Sequence, residues 1–121
     1  MTLSVNKLAI IEDDAKIRQY LGEQVELTMS VNQLMLFGNA EDALLSLTQD
    51  PADIALFDVQ LPGMNGIECI RRLKMIHPRM QCMVLTVYDK PDTVFEALKA
   101  GAISYLLKST PPEKIIEAIE E

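Results

Sequence analysis

The chain has 121 residues, 49% of them apolar and 24% charged, with a formal net charge of -7. That length suits one domain able to bury a core without disulfides or a structural metal, and the apolar share excludes a disordered chain. The acidic balance makes this segment a poor binder of nucleic-acid backbones, so no direct contact with nucleic acid is expected.

No apolar run approaches the roughly 20 residues needed to cross a bilayer. Met1 to Lys7 lacks the basic start and apolar centre of a signal peptide, so a cytoplasmic location without membrane association is expected. Cys69 and Cys82 have no Cys/His cluster around them and are expected to be buried free thiols. His77, beside Pro78, is expected to be a solvated turn residue.

Lys7 to Ile11 is a continuous apolar run of the kind a strand shows when both its faces are covered. Beyond Glu12-Asp13-Asp14, the four-residue spacing of Ile17, Leu21 and Val25 predicts a helix with Asp14 as its N-cap. Asn32 to Phe37 predicts a second strand. Asn39 then caps a helix carrying Ala43, Leu44 and Leu47, which Gln49-Asp50-Pro51 stops.

Ile54 to Phe57 predicts a third strand that delivers Asp58 into the loop Val59-Gln60-Leu61-Pro62-Gly63-Met64-Asn65-Gly66. Ile67, Ile70 and Leu73 mark a third helix, with Asn65 and Glu68 at capping-box spacing. Cys82 to Thr86 predicts a fourth strand. Pro91, Val94, Ala97 and Leu98 predict a helix that Gly101 ends. A fifth strand, Ile103 to Leu107, runs into Lys108. Thr110-Pro111-Pro112-Glu113 then opens a last helix carrying Ile115, Ile116 and Ile119.

Five strands alternating with five helices imply an α/β fold, a doubly wound parallel sheet with helices on both faces. In such sheets the ligand site lies outside the carboxyl ends of the strands. Those ends carry Glu12, Asp13 and Asp14, then Asp58, Thr86 and Lys108. Carboxylates brought together repel unless a cation compensates, and oxygen ligands alone favour magnesium completed by waters and phosphate oxygens. Thr86 can donate a hydrogen bond to a phosphoryl group, Lys108 can neutralise its charge, and an aspartate can act as the nucleophile. Taken singly, these residues are an acidic helix-capping turn and a solvated strand-end lysine, and only their combination points to chemistry.

Over essentially its whole length the chain resembles the receiver domain of two-component response regulators. The matching motifs are Ile11-Glu12-Asp13-Asp14, Phe57 through Gly66, Leu85-Thr86, and Gly101 through Lys108. The resemblance implies a flavodoxin-like sheet of order 2-1-3-4-5, a receiver spanning 1–121, and Asp58 as phosphoacceptor for a sensor histidine kinase. It also implies Mg2+ held by Glu12, Asp13, Asp58 and the Gln60 carbonyl, with Glu12 acting mainly through water. Thr86 and Lys108 would grip the phosphoryl group, and Thr86 and Tyr105 would form a switch reshaping the face of the fourth helix, fifth strand and fifth helix. Asp14, just beyond the acidic pair, is assigned to the helix cap.

Two positions depart from the commonest family pattern. Val87 follows Thr86 where a smaller residue is common, and Ser109 follows Lys108 where Pro is frequent. The motifs look most similar to receivers of the NarL/LuxR type. A C-terminal DNA-binding output domain beyond this chain and control of transcription are therefore expected. Homodimerisation on phosphorylation is left open, since Val94 and Phe95 could serve either core or interface. A stand-alone receiver acting through protein contacts is the alternative. A phosphohydrolase of the haloacid dehalogenase type is disfavoured, because Gln60 occupies the position of that family's second aspartate; the chain is expected to catalyse only its own phosphorylation and dephosphorylation.

Overall fold

The computed structural model describes residues 5–87 and 90–120. The first residues of the amino-terminal segment read above, and the side chain of Pro112 in the last cap, lie outside them. The elements alternate strictly: β1 (Val5–Ile11), α1 (Ala15–Thr28), β2 (Val31–Phe37), α2 (Ala40–Gln49), β3 (Ile54–Phe57), α3 (Gly66–Ile76), β4 (Gln81–Thr86), α4 (Pro91–Ala100), β5 (Ala102–Leu107) and α5 (Pro112–Glu120). All strand pairings are parallel and the sheet order is β2-β1-β3-β4-β5, as the family resemblance implies.

Two apolar cores follow from the period of two along each strand. Ala9, Ile11, Ala55, Phe57, Cys82 and Val84 pack with Ala40, Ala43 and Leu47 of α2, Cys69, Ile70 and Leu73 of α3, and Ala97 of α4. Their alternates Leu8, Ile10, Ile54, Leu56, Met83 and Leu85 pack with Leu21 and Val25 of α1 and Ile115, Ile116 and Ile119 of α5. The central strands are buried on both faces, which is why they read as unbroken apolar runs. Both thiols lie in the first core at 0% exposure, and burial pushes Cys69 up to about 12 and Cys82 up to about 11. They are inert space-fillers at neutral pH.

The helix starts obey their caps. Asp14 Oδ1 accepts from the amides of Lys16 at 2.9 Å and Ile17 at 3.3 Å, and Asn39 Oδ1 accepts from Asp42 N at 2.7 Å. Asp14→Ala is expected to cost about 1 kcal/mol of unfolding free energy, read by urea denaturation, because two amides of α1 lose their acceptor. Asn65 Oδ1 accepts from Glu68 N at 2.9 Å. The Glu68 carboxylate, however, pairs with Arg71 and with Arg72 Nε at 2.9 Å, so only one arm of the expected capping box forms.

The expectation for His77 is corrected. His77 is a half-buried residue ending α3, with Nε2 2.7 Å from the Thr48 carbonyl oxygen. Packing of α3 against α2 brings it to one of the carbonyls that the last turn of a helix leaves unpaired. Leu98 of the α4 stripe is 50% exposed, because the sheet ends at β5 and leaves that flank of α4 uncovered. Ile103 on the same edge is 56% exposed. No described helix is long and apolar enough to cross a membrane.

Candidate functional site

The order of the sheet reverses at β1 and β3, and ligand crevices open at such points. Ile11 pairs with Phe57, and Asp58 N donates to the Ile11 carbonyl at 3.0 Å, so the residues leaving β1 and β3 start side by side. Lys108 N donates to the Thr86 carbonyl at 2.8 Å, which ties the ends of β4 and β5 in the same way. Parallel register thus gathers four strand ends that lie far apart in the chain.

Glu12, Asp58 and Thr86 are the buried polar or charged residues of the described chain, at 2%, 5% and 0% exposure. Carboxylate oxygens of Glu12, Asp13 and Asp58 lie within 4.8 Å of one another, with Asp13 exposed at the surface of the group. Lys108 Nζ sits 2.5 Å from Glu12 Oε1 and 2.9 Å from Asp58 Oδ2. The second oxygens are held by backbone: Asp14 N donates to Glu12 Oε2 and Gln60 N donates to Asp58 Oδ1, each at 3.1 Å. Asp14 therefore caps α1 with its side chain and braces Glu12 with its amide.

Gly66 shows how tightly the loop closes on this site. A Cβ there would lie 2.1 Å from the Asp58 carbonyl oxygen, so only glycine allows α3 to begin so near the strand end. A cleft of about 590 Å³ beside the loop is lined by Asp13, Val59, Gln60, Leu61, Pro62 and Asn65. Solvent or a ligand reaches the acidic group from that side.

Electrostatics identify what the group lacks. Three carboxylates against the Lys108 ammonium leave two negative charges in excess, the donors are all oxygen, and a divalent hard cation matches both properties. Magnesium thus fits the residues present. Burial raises the Glu12 carboxyl above its ordinary range; hydrogen bonds from Lys108 and the Asp14 amide oppose that rise, and the Asp58 charge adds to it. Burial alone would lower the Lys108 ammonium, but its hydrogen bonds with Glu12 and Asp58 outweigh burial and hold it above its ordinary range.

The structure brings Glu12, Asp13, Asp58 and Lys108 into one cluster, with the Gln60 amide on Asp58 and Thr86 buried at the next strand end. Tyr105 stands apart on β5, half-buried against the core beneath α2, α3 and α4. Val87 is 67% exposed, and there is no cis peptide among the described residues. The sequence reading missed two supports. Arg18 Nη1 donates to the Glu12 carbonyl at 2.6 Å, and Glu41 Oε2 accepts from Met64 N at 3.0 Å. For Arg18 the available signal is its place one helical turn after the Asp14 cap, which turns it back over the β1 end.

Known proteins share the sequence pattern and the fold of this chain. Residues 8–120 match the family model described as the response regulator receiver domain. The chain is 32% identical over 117 residues to a Bacillus subtilis protein named "Uncharacterized transcriptional regulatory protein YxjL", covering 93% of this chain and 52% of that protein. It thus spans about half the length of that relative. A CheY-like receiver domain protein from Methanospirillum hungatei superposes with a TM-score of 0.84 at 26% identity, covering 96% of this chain and 91% of that one. A LuxR-family two-component response regulator from Aurantimonas shares the fold with a TM-score of 0.90 at 23% identity, over 98% and 84% of the two chains. With a family match over nearly its whole length and an acidic cluster at the switch point of the expected sheet, the chain belongs to the response regulator receiver domain family.

Proposed function

We propose that Asp58 accepts a phosphoryl group from a sensor histidine kinase, and that the resulting charge reshapes the α4-β5-α5 face to control an output, which we take to be transcription. The observation that carries this reading is the buried Asp58 carboxylate, held by the Gln60 amide and the Lys108 ammonium beside two further carboxylates. Glu12, Asp13, Asp58 and the Gln60 carbonyl would hold Mg2+, with Glu12 acting mainly through water. Bound there, the ion would offset the negative charge that otherwise opposes an incoming phosphoryl group.

The chain's own residues supply the rest. Asp58 Oδ forms the new bond to phosphorus as the bond from phosphorus to the donor imidazole nitrogen breaks, and the electron pair of that bond stays with the imidazole. Lys108 moves its ammonium from the Asp58 carboxylate to a phosphoryl oxygen, and the Thr86 hydroxyl donates to another. An arrangement in which both bonds form is favoured over one in which they do not, so the population shifts and Tyr105 shifts with it. Receivers are generally not turnover enzymes, and here the chain would act only on its own aspartyl group.

The kinase is the expected donor, a C-terminal DNA-binding domain the expected output, the cytoplasm the expected location, and homodimerisation on phosphorylation a further consequence. The YxjL name supports the transcriptional output. A stand-alone receiver is the second reading, favoured by the near-complete coverage of the Methanospirillum protein. The test uses acetyl phosphate and magnesium with intact-mass analysis and peptide mapping. One phosphoryl group on the peptide containing Asp58 is expected; no uptake, or uptake on another peptide, overturns the proposal.

A further inference from the structure

The turn between β3 and α3 carries the Gln60 carbonyl, and its ends are fastened locally. Leu61 N and Gly66 N both donate to the Val59 carbonyl, at 3.2 and 3.0 Å. Its middle is reached from another element. Glu41, in the first turn of α2, accepts a hydrogen bond from Met64 N at 3.0 Å through Oε2. Gly63 adopts φ +76°, and a Cβ there would lie 2.3 Å from the same Oε2, so the carboxylate occupies the space that glycine leaves open. The adjoining residue of α2 is tied to α3, since Cys69 Sγ lies 3.6 Å from the Ala40 carbonyl oxygen.

From this geometry we infer that Glu41 is a positioning residue for the phosphorylation site, clamping the turn that presents the Gln60 carbonyl beside Asp13 and Asp58. The inference rests on the magnesium and phosphoryl chemistry proposed above. A backbone carbonyl can serve a metal only if its peptide plane is held, and small losses of such support cost binding. Glu41 touches none of the reacting atoms. It holds the Gly63–Met64 peptide plane directly and would act on the Gln60 carbonyl through the closed turn, and its exposed position lets it do so without being needed for folding.

The experiment measures Mg2+ affinity by titration calorimetry, together with amide exchange at Met64 by NMR, for the full chain and the variants Glu41→Ala and Glu41→Gln. Glu41→Ala is expected to weaken Mg2+ binding by about three- to tenfold and to speed Met64 exchange, with exchange in the central strands unchanged. Glu41→Gln keeps an acceptor oxygen and loses the charge, so it is expected to stay within about twofold of the parent on both readouts. Equal affinity in all three proteins overturns the inference and leaves the magnesium reading standing. Equal weakening in both variants makes Glu41 a remote charge and also overturns it. A parent chain that binds no Mg2+ refutes the magnesium reading itself, and the clamp with it.

Discussion

Replacing Asp58 with Asn is expected to abolish phosphoryl uptake from acetyl phosphate and to leave the fold standing. The amide offers no carboxylate oxygen to phosphorus, yet its side-chain oxygen still accepts the Gln60 amide that holds Asp58 Oδ1 at 3.1 Å. Two electrostatic changes oppose each other in the folded state. Lys108 loses one of its two carboxylate partners, while Glu12 is relieved of a like charge that raises its own carboxyl. Stability should therefore move by no more than about 1 kcal/mol: the Asn amide nitrogen meets Lys108 donor to donor, so that ion pair is lost, and the relief of repulsion on Glu12 offsets the loss. Intact mass after incubation reads the first effect and urea unfolding the second. Phosphoryl uptake by the Asp58→Asn variant would remove Asp58 from the chemistry, and an unfolded variant would make the carboxylate structural.

Lys108→Ala is expected to have the largest effect on stability. The lysine side chain is 16% exposed and bridges carboxylates whose side chains are 3% and 6% exposed. Its loss leaves buried like charges with no cation, and breaking such a pair from one side costs about 3–5 kcal/mol. Bound Mg2+ would supply the missing positive charge, so saturating Mg2+ should restore most of the loss and stabilise the variant more than the parent. Urea midpoints with and without Mg2+ measure both terms. A variant as stable as the parent in metal-free buffer would show that the ammonium compensates nothing.

The pH dependence of that difference has a defined sign. The Lys108 ammonium is held above its ordinary value of 10.5 in the folded chain, burial being outweighed by its bonds with Glu12 and Asp58. A basic group raised on folding contributes stability that is fully present below 10.5 and is lost as pH climbs through the higher folded value. Parent and Lys108→Ala should therefore differ by a constant amount near neutrality and converge at strongly alkaline pH. A gap that stays open above that range would assign the lysine's contribution to packing.

Glu41 and Arg18 show where local reading stops. Each lies on a helix whose sequence gives a good account of it, Glu41 as an acid in a first turn and Arg18 as an exposed-face cation. Their partners, the Met64 amide and the Glu12 carbonyl, are backbone groups of other segments. A backbone group has no residue type to betray it, so nothing along the chain marks the Met64 amide as the partner of Glu41, and for Arg18 the signal is its place one turn after the Asp14 cap. His77 fails for the same reason, its partner being the Thr48 carbonyl. Leu98 shows a different limit: helical spacing marks an apolar stripe, and α4 forms as the stripe implies, but spacing does not say whether the sheet covers each of its residues.

Features that depend on short-range chemistry are legible along the chain. Apolar runs and helical spacings set ten alternating elements, Asp14 and Asn39 capped the helices they were expected to cap, and four of the five strand ends were marked by polar residues. The parallel sheet followed from the alternation, and its order followed from family resemblance alone, because strand order is a matter of long-range packing. Packing in three dimensions is what places Lys108 across Glu12 and Asp58, leaves Asp13 exposed while Glu12 and Asp58 are buried, and sets three carboxylates around one ammonium. Those are sums over four strand ends, and their values exist only once parallel register has brought the ends together.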